Sequence, residues 1–493
     1  MKAFLKSKYL LIFILLLASF WRFYNYPNRW VLNQDQARDV SIALFAIRDH
    51  RLPLVGSPSS AGPFNFGPLY DWLIMMATII FPFISGPWFA FTLTSLSIVV
   101  IFYLIGLNIA NRNLGLIAAF IAAISSLPIK NSTDMLNTVI VIVPVSLAIL
   151  FLVKFINTSK LIYAFLLAAF VGVALNCHFQ ALGSLTLLLV AFLFNKFNLK
   201  KRLITGFTLA GGFITSILPL IYFDIKNNFI WINSVIYYYT IGVKKFYTPI
   251  RWLTEIRDFW PHLWGDTIFN LPNLGYFLAA LFFITLIYSR LKSHRLPSTF
   301  IALLFSFTLQ ILLLRYYGGT RSPEYLIAFH PFLILFTAYS LFVFKKIFLL
   351  PLLILFFIIT TYSNLKIISQ KSQAPLIFTL NSSLANYHSG PYSIYAISDS
   401  NMVSLPIFYL NYYHHLISSS GFPVGICINC FLPANLISHQ SLSSTQDYRI
   451  YDLSQFNATQ YLQYRLTSLT PSLIYSWLYV NYPQALKRFI IIK

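Results

Sequence analysis

Long apolar runs separated by short polar connections fill the first three quarters of this chain. A helix needs about 20 mostly apolar residues to cross the roughly 30 Å hydrocarbon core of a bilayer. About eleven runs reach or approach that length, at 9–24, 87–109, 113–128, 136–155, 160–176, 180–195, 204–222, 273–290, 298–315, 324–344 and 347–363. The pattern predicts a mostly α-helical, polytopic membrane protein with about 11–13 transmembrane helices.

The charges of the loops indicate whether the shorter apolar run at 70–85 crosses the membrane. If this run does not cross, basic clusters such as Lys200, Lys201 and Arg202 fall on the side of the N-terminus, and all 13 acidic residues fall on the other side. Basic loops mark the cytoplasmic side of a membrane protein. We therefore predict a re-entrant or interface-lying helix at 70–85, a cytoplasmic N-terminus and a location in the cell (inner) membrane.

Two large loops and a tail are then expected on the outer face. The first loop spans 25–86, and the second spans 223–272, where mixed charged and aromatic residues suit helices that lie on the membrane surface. The long apolar runs stop near residue 363. We predict a transmembrane domain at 1–363 and a small extracytoplasmic α/β domain at 364–493.

The tail carries the pattern of a small mixed domain. Segments 392–398, 448–453 and 488–493 are rich in β-branched and aromatic residues with partial alternation, which predicts strands. Segment 401–417 has the apolar spacing of a helix.

The composition supports the membrane assignment. Hydrophobic residues make up 58% of the chain, charged residues 10%, and the mean hydropathy is +0.70. A soluble protein cannot hide that much apolar surface. The net charge of +22 is spread mainly over short loops between apolar runs, as in cytoplasmic anchors, so no nucleic-acid partner is expected.

The three cysteines are weak indicators of chemistry. Cys177 adjoins an apolar run, and Cys427 and Cys430 form one C-x-x-C pair without a second pair. Such a pair alone does not establish a zinc or redox site. The pattern leaves a local disulfide and two free thiols as alternatives.

The first loop concentrates charge beside the membrane. It holds four of the 13 acidic residues with three arginines between them: Asp35, Asp39, Asp49 and Asp71, with Arg38, Arg48 and Arg51. These groups are costly there unless they pair, face water or take part in chemistry. An aspartate can act as a general base for a hydroxyl, and arginine binds phosphate through paired hydrogen bonds. We therefore predict a catalytic loop, while nucleotide-binding, zinc-protease and serine-hydrolase motifs are missing from the sequence.

Two motifs of this loop resemble a known family. DQARD at 35–39 follows the first apolar run, and GPLYDW at 67–72 opens the next apolar helix. This arrangement is similar to the polytopic glycosyltransferases of the C superfold, and in particular to the protein O-mannosyltransferase and aminoarabinose transferase group (glycosyltransferase family 39 and its relatives). The resemblance covers roughly residues 1–345, with coarser matches at Asp134, 172–180, 219–229 and 325–331.

The resemblance implies an integral-membrane glycosyltransferase in which Asp35 is the general base. Asp35 would deprotonate a hydroxyl of a protein, lipid or glycan acceptor, which attacks the anomeric carbon of a polyprenyl-phosphate sugar with inversion. Basic residues would hold the departing lipid phosphate. Many relatives carry Glu directly after this Asp, whereas this chain has Gln36, so a role for a second carboxylate there is in question and Asp39 is the candidate to replace it.

Further candidates for substrate binding carry carboxylate, imidazole, aromatic or guanidinium groups. They are Arg38, Asp39, Tyr70, Asp134, His178, Arg251, Arg257, Arg321, Glu324 and Tyr325. Each has a structural alternative. Arg38 and Asp39 lie three and four residues after Asp35 and can pair with it along a helix, the arginines can contact lipid headgroups, and His178 can be a satisfied polar residue at a helix end.

Two other functions compete with the glycosyltransferase hypothesis. A transporter or lipid-linked glycan flippase would place polar residues near the membrane midplane, where the sequence has almost none. A glycan polymerase or ligase would use a large, arginine-rich later loop, for which 223–272 is the candidate. The residues suggest no clear ligand set for a divalent metal, so no metal site is predicted and a metal requirement stays open.

Overall fold

The computed structural model is mostly α-helical, as predicted. It describes residues 2–59, 62, 64–194, 199–238, 240, 251–291, 296–315, 323–344, 346–397, 401–428, 437–442, 447–454, 456 and 465–476.

The first half of the chain forms helices that are joined by short connections. These are Lys2–Phe23 (α1), Tyr26–Arg29 (α2), Gln34–Arg48 (α3), Leu69–Ile80 (α4), Gly86–Ile109 (α5), Arg112–Ile124 (α6), Ser126–Lys130 (α7), Asn137–Ile140 (α8), Ile142–Thr158 (α9), Leu161–Cys177 (α10), Leu185–Leu193 (α11), Leu199–Lys226 (α12) and Ile230–Tyr237 (α13). Two 3-10 helices, Asn131–Thr133 and Phe179–Ser184, lie between them.

The second half adds more helices and then a sheet. The helices are Arg251–Thr254 (α14), Trp260–Phe269 (α15), Leu274–Leu291 (α16), Ser298–Arg315 (α17), His330–Val343 (α18), Lys346–Ser369 (α19), Ala374–Tyr387 (α20), Asn401–Tyr413 (α21) and Pro471–Ser476 (α22). A π-helix at Glu255–Phe259 precedes α15, and a 3-10 helix at Pro323–Phe329 precedes α18. The strands are Tyr392–Ile397 (β1), Phe422–Ile428 (β2), Ile437–Leu442 (β3), Asp447–Asp452 (β4) and Leu466–Ser468 (β5).

The chain is a multi-pass membrane protein. Among the described residues, seven helical segments are long and apolar enough to cross a membrane: Gly86–Ile109, Asn137–Thr158, Leu199–Lys226, Leu274–Leu291, Ser298–Arg315, Pro323–Val343 and Phe348–Asn386. A bent pair, Arg112–Ile124 and Ser126–Thr133, makes eight if it counts as one span. The number is lower than the predicted eleven to thirteen, partly because the runs at 160–176 and 180–195 form helices of only 10–17 residues.

The run at 70–85 forms the short helix α4. Its 12 residues span about 18 Å at 1.5 Å per residue, which is well below the roughly 30 Å of a hydrocarbon core. This length agrees with the expectation that the segment does not cross.

The chain packs as two compact units, and each unit combines separate stretches. The first contains Met1–Tyr26, Leu54–Tyr70 and Phe91–Ser369. The second contains Pro27–Pro53, Asp71–Ala90 and Gln370–Lys493. This grouping reflects packing within each unit, and the predicted division at residue 363 stays a prediction.

The second unit contains the predicted α/β tail. Its described strands form one mixed sheet in the order β3-β4-β2-β1-β5, in which β1 and β2 are parallel and the other neighbours are antiparallel. The strands predicted at 392–398 and 448–453 are confirmed as β1 and β4, and the helix predicted at 401–417 is α21. The strand predicted at 488–493 lies outside the described residues.

Helix α3 packs within the second unit. The ring of Phe45 on α3 meets Phe408 at 6.4 Å and Tyr412 at 4.8 Å, both on α21 and both edge-to-face. The part of the first loop that carries the predicted base is therefore held by the tail.

The cysteines have different states. Cys427, in a buried cluster on strand β2, is disulfide-bonded, whereas Cys177 is buried and forms no disulfide. Cys430 lies outside the described residues.

Candidate active site

Helix α3 begins at a capping box that sets the position of Asp35. The side-chain oxygen of Asn33 accepts a hydrogen bond from the Asp35 N–H at 3.0 Å, and Gln36 Oε1 accepts one from the Asn33 N–H at 3.3 Å. These bonds satisfy backbone donors that a helix start leaves open. Asn33 is thus the cap, and Asp35 lies in the first turn with its side chain available for other contacts. Gln36 is fully buried and serves the cap.

Arg38 lies between two carboxylates of the same helix. Its Nη1 donates to Asp35 Oδ1 at 2.9 Å, and its Nε donates to Asp39 Oδ1 at 2.7 Å. Among the described residues, Oδ2 of Asp35 has no hydrogen-bond partner. The side chain of Asp35 is 45% exposed, whereas that of Asp39 is 2% exposed. The pairing predicted as a structural alternative is present, and it still leaves one Asp35 oxygen open.

Asp71 is a member of this charge cluster that the sequence prediction did not assign to the site. It lies in the first turn of α4, is completely buried, and neither carboxyl oxygen has a hydrogen-bond partner among the described residues. Burial raises the pKa of Asp71 well above 3.8, the charge of Asp39 raises it further, and the charge of Arg38 opposes the rise. An acidic residue in the first turn of an apolar helix was the signal in the sequence.

His178, in the first unit, has a neutral imidazole ring that can donate a hydrogen bond through Nε2. Its Nδ1 accepts a hydrogen bond from the Gln180 N–H at 3.2 Å, so the neutral ring carries its proton on Nε2. The ring centroid lies 4.4 Å from that of Phe66 and 5.1 Å from that of Tyr325, nearly parallel to the latter. Burial lowers the pKa of His178 to about 3.

Gln180 connects the segments around this histidine. Its Nε2 donates to the Thr138 carbonyl at 2.9 Å, and its Oε1 accepts from the Ile327 N–H at 2.9 Å. The second bond holds the 3-10 helix that carries Tyr325. The sequence prediction did not single out Gln180, although it lies in the matched segment 172–180.

Asp134 lines a small cavity in the first unit. Asp134 follows the 3-10 helix Asn131–Thr133 as its C-cap. The cavity has a volume of about 20 Å³. His330 lines the same cavity, is fully buried, and has no hydrogen-bond partner at either ring nitrogen among the described residues. The other lining residues are mostly apolar, with Ser95, Asn131 and Ser132 as polar members.

The remaining predicted residues are in varied positions. Tyr70 is 1% exposed and its hydroxyl donates to the Met135 carbonyl at 2.9 Å. Glu324 is exposed next to Tyr325. The exposed Arg257 binds Asp258 through Nε and Nη2.

The side chains of two predicted arginines lie outside the described residues. Arg321 lies outside the described residues, and Arg251 begins α14 with a side chain that also lies outside them. Within the described part of the chain, no three His, Cys, Asp or Glu side chains gather closely enough to hold a metal ion.

No protein-family model and no protein of curated function matches this sequence. Several solved structures share its fold, among them an archaeal oligosaccharyltransferase and a bacterial ArnT. The apo oligosaccharyltransferase of Archaeoglobus fulgidus is 12% identical with a TM-score of 0.50, and the match covers 85% of this chain and 64% of that one. ArnT of Cupriavidus metallidurans, bound to undecaprenyl phosphate, is 10% identical with a TM-score of 0.52, covering 82% and 75%.

This chain therefore spans less than two thirds of the length of the archaeal protein. Both neighbours have the fold of C-superfold membrane glycosyltransferases, so the predicted resemblance is confirmed for the fold.

Proposed function

We propose that this protein is an integral-membrane glycosyltransferase that moves a sugar from a polyprenyl-phosphate donor to a hydroxyl acceptor. Asp35 is the general base in this proposal. The observation that carries it is the geometry of one half-exposed carboxylate, in which Arg38 binds Oδ1 at 2.9 Å and Oδ2 has no hydrogen-bond partner within the described part of the chain. A base needs a free oxygen that a substrate proton can reach and a support that keeps it in place.

The reaction is a single displacement. Oδ2 of Asp35 takes the proton of the acceptor hydroxyl, and the hydroxyl oxygen forms a bond to the anomeric carbon of the sugar. The bond from that carbon to the phosphate oxygen breaks, and the lipid phosphate leaves with the electron pair. Attack opposite the leaving group inverts the anomeric configuration.

The fold supports the class of donor. ArnT was solved with undecaprenyl phosphate, and a multi-pass membrane protein of the same fold can present an apolar surface to such a lipid. The predicted arginines, Arg251, Arg257 and Arg321, remain the candidates for the lipid phosphate, and Arg257 would exchange its contact with Asp258 for the phosphate.

His178 and Tyr325 suit the sugar rather than the phosphate. A neutral imidazole that donates through Nε2 matches an uncharged hydroxyl, and the stacked Tyr325 ring gives a flat apolar surface beside it. Asp39, Tyr70, Asp134 and Glu324 remain candidates for shaping the substrate site. We propose that this chemistry takes place on the outer face of the cell (inner) membrane with the N-terminus in the cytoplasm, which the charge pattern of the loops supports.

Transfer of radiolabelled sugar tests the proposal directly. Purified protein in proteoliposomes is supplied with undecaprenyl-phosphate hexoses and pentoses, and washed membranes provide hydroxyl acceptors. We expect release of undecaprenyl phosphate together with label in the acceptor fraction. Asp35→Asn should lower the rate about 10²–10⁴-fold, the usual contribution of a general base.

Asp49→Asn is the matched control, because Asp49, the residue directly after α3, is also paired with an arginine, Arg48. It should keep the wild-type rate. Wild-type activity in Asp35→Asn would refute the base assignment, and the absence of transfer from every lipid-phosphate donor would refute the proposed function.

A further inference from the structure

The cluster around Arg38 contains more carboxyl groups than one guanidinium can balance. Asp35 and Asp39 each bind Arg38, and Asp71 interacts with both Asp39 and Arg38 through space. With all three carboxylates ionised, the four side chains of Asp35, Arg38, Asp39 and Asp71 would together carry a net charge of −2. Two of the three acids, Asp39 and Asp71, are also shielded from water, since both residues are buried.

The hydrogen bonds separate the two buried acids. Asp39 takes the Nε–H of Arg38 at 2.7 Å, which stabilises its charged form. Neither oxygen of Asp71 receives a hydrogen bond from any described residue. A buried carboxylate without a donor is far more costly than a buried neutral carboxyl.

We propose that Asp71 is a positioning residue that carries a proton in the working enzyme and so leaves Arg38 shared between Asp39 and Asp35. The inference rests on the proposed function for its catalytic consequence. A protonated carboxyl offers one O–H donor and adds no charge. An ionised Asp71 would instead compete with Asp35 for Arg38 and draw the guanidinium away from the base.

This arrangement explains how Arg38 stays in place through the reaction. When Asp35 takes up the acceptor proton, its attraction for Arg38 weakens. Asp39 keeps its charge and its 2.7 Å contact, so the guanidinium does not need to move. The raised pKa of Asp71 supports the same distribution of protons.

Infrared difference spectroscopy tests the proton on Asp71 without any substrate. Full-length wild-type protein and Asp71→Asn are compared in proteoliposomes at pH 7. We expect the carbonyl stretch of one protonated carboxyl in the wild type that is missing from Asp71→Asn, whereas Asp39→Asn should remove no such band. Identical spectra for wild type and Asp71→Asn in that region would overturn the proposal.

Transfer kinetics test the positioning role. Asp71→Asn keeps a neutral side chain of similar size, so kcat/KM should stay within about threefold of wild type with an unchanged melting temperature. Asp39→Asn removes the charged partner of Arg38 and should lower kcat/KM about tenfold or more. A tenfold or larger loss in Asp71→Asn would refute the role of a neutral Asp71.

The two experiments fail in different ways. A carbonyl band without any sugar transfer would leave the proton on Asp71 in place and refute the proposed function. Transfer without the band would refute only the present inference.

Discussion

Nη1 of Arg38 lies 2.9 Å from Oδ1 of Asp35, one helical turn earlier on α3. The same guanidinium binds Asp39 through Nε, so one planar group contacts both the half-exposed carboxylate of Asp35 and the buried carboxylate of Asp39. This double contact depends on the planar geometry of arginine, which a single ammonium group does not reproduce.

Arg38→Lys tests that geometry at constant charge. We expect kcat/KM for sugar transfer to fall about tenfold or more, because one ammonium cannot hold both carboxylates in position. Arg48→Lys is the control, since Arg48, the last residue of the same helix, binds the following Asp49 through Nε and Nη2. Equal kinetics in the two variants would show that the fork of Arg38 has no special role.

The capping box of α3 provides a second prediction. Asn33→Ala removes the bond to the Asp35 N–H and should lower the free energy of unfolding by about 1 kcal/mol. It should also lower transfer activity, because the first turn of α3 carries the base.

Asn111→Ala is the matched control for this cap. Asn111 caps α6 through the Asn113 and Leu114 N–H groups. Asn111→Ala should lower the free energy of unfolding by a similar amount and leave kcat/KM unchanged per folded molecule. An equal loss of activity in Asn33→Ala and Asn111→Ala would contradict the prediction.

Gly67 has no room for a side chain. A Cβ there would lie 1.8 Å from Asn176 Oδ1, and the Gly67 N–H donates to the Asn176 carbonyl at 2.9 Å. Gly67→Ala should therefore destabilise the protein by about 1–3 kcal/mol, measured as a lower melting temperature in detergent.

Gly211→Ala is the control for this glycine. No atom of the described residues lies within 4 Å of a Cβ at Gly211, which is inside α12. The substitution should keep or raise stability, since alanine is favoured over glycine in a helix by about 1 kcal/mol. A stable Gly67→Ala protein would show that Asn176 can move aside.

His178 predicts a pH dependence of stability. Burial lowers its pKa from 6.5 to about 3, so between these values the unfolded state binds more protons than the native state. Stability should fall as the pH drops from 6.5 towards 3, with a slope of at most about 1.4 kcal/mol per pH unit from this group. His178→Gln should flatten the dependence of melting temperature on pH. A wild-type slope in His178→Gln would contradict the assignment.

Local patterns predicted much of the fold. The length of the apolar runs indicated a membrane protein and most of its helices. A helix can enter lipid because its backbone N–H and C=O groups are hydrogen-bonded within its own segment. Alternation predicted β1 and β4. The central strand β2 was missed, since Pro423 and Gly425 have low strand propensity and the strand is held by its neighbours β1 and β4.

The sequence by itself determined which residues of α3 can meet, because Asp35, Arg38 and Asp39 are close through helix geometry alone. Only the tertiary structure decided that Asp71 joins them and that His178 lies between Phe66 and Tyr325. Helical and strand periodicities act over a few residues, whereas these contacts depend on packing between segments far apart in the chain. Burial, which sets the protonation of Asp71 and His178, is likewise a property of the packed unit.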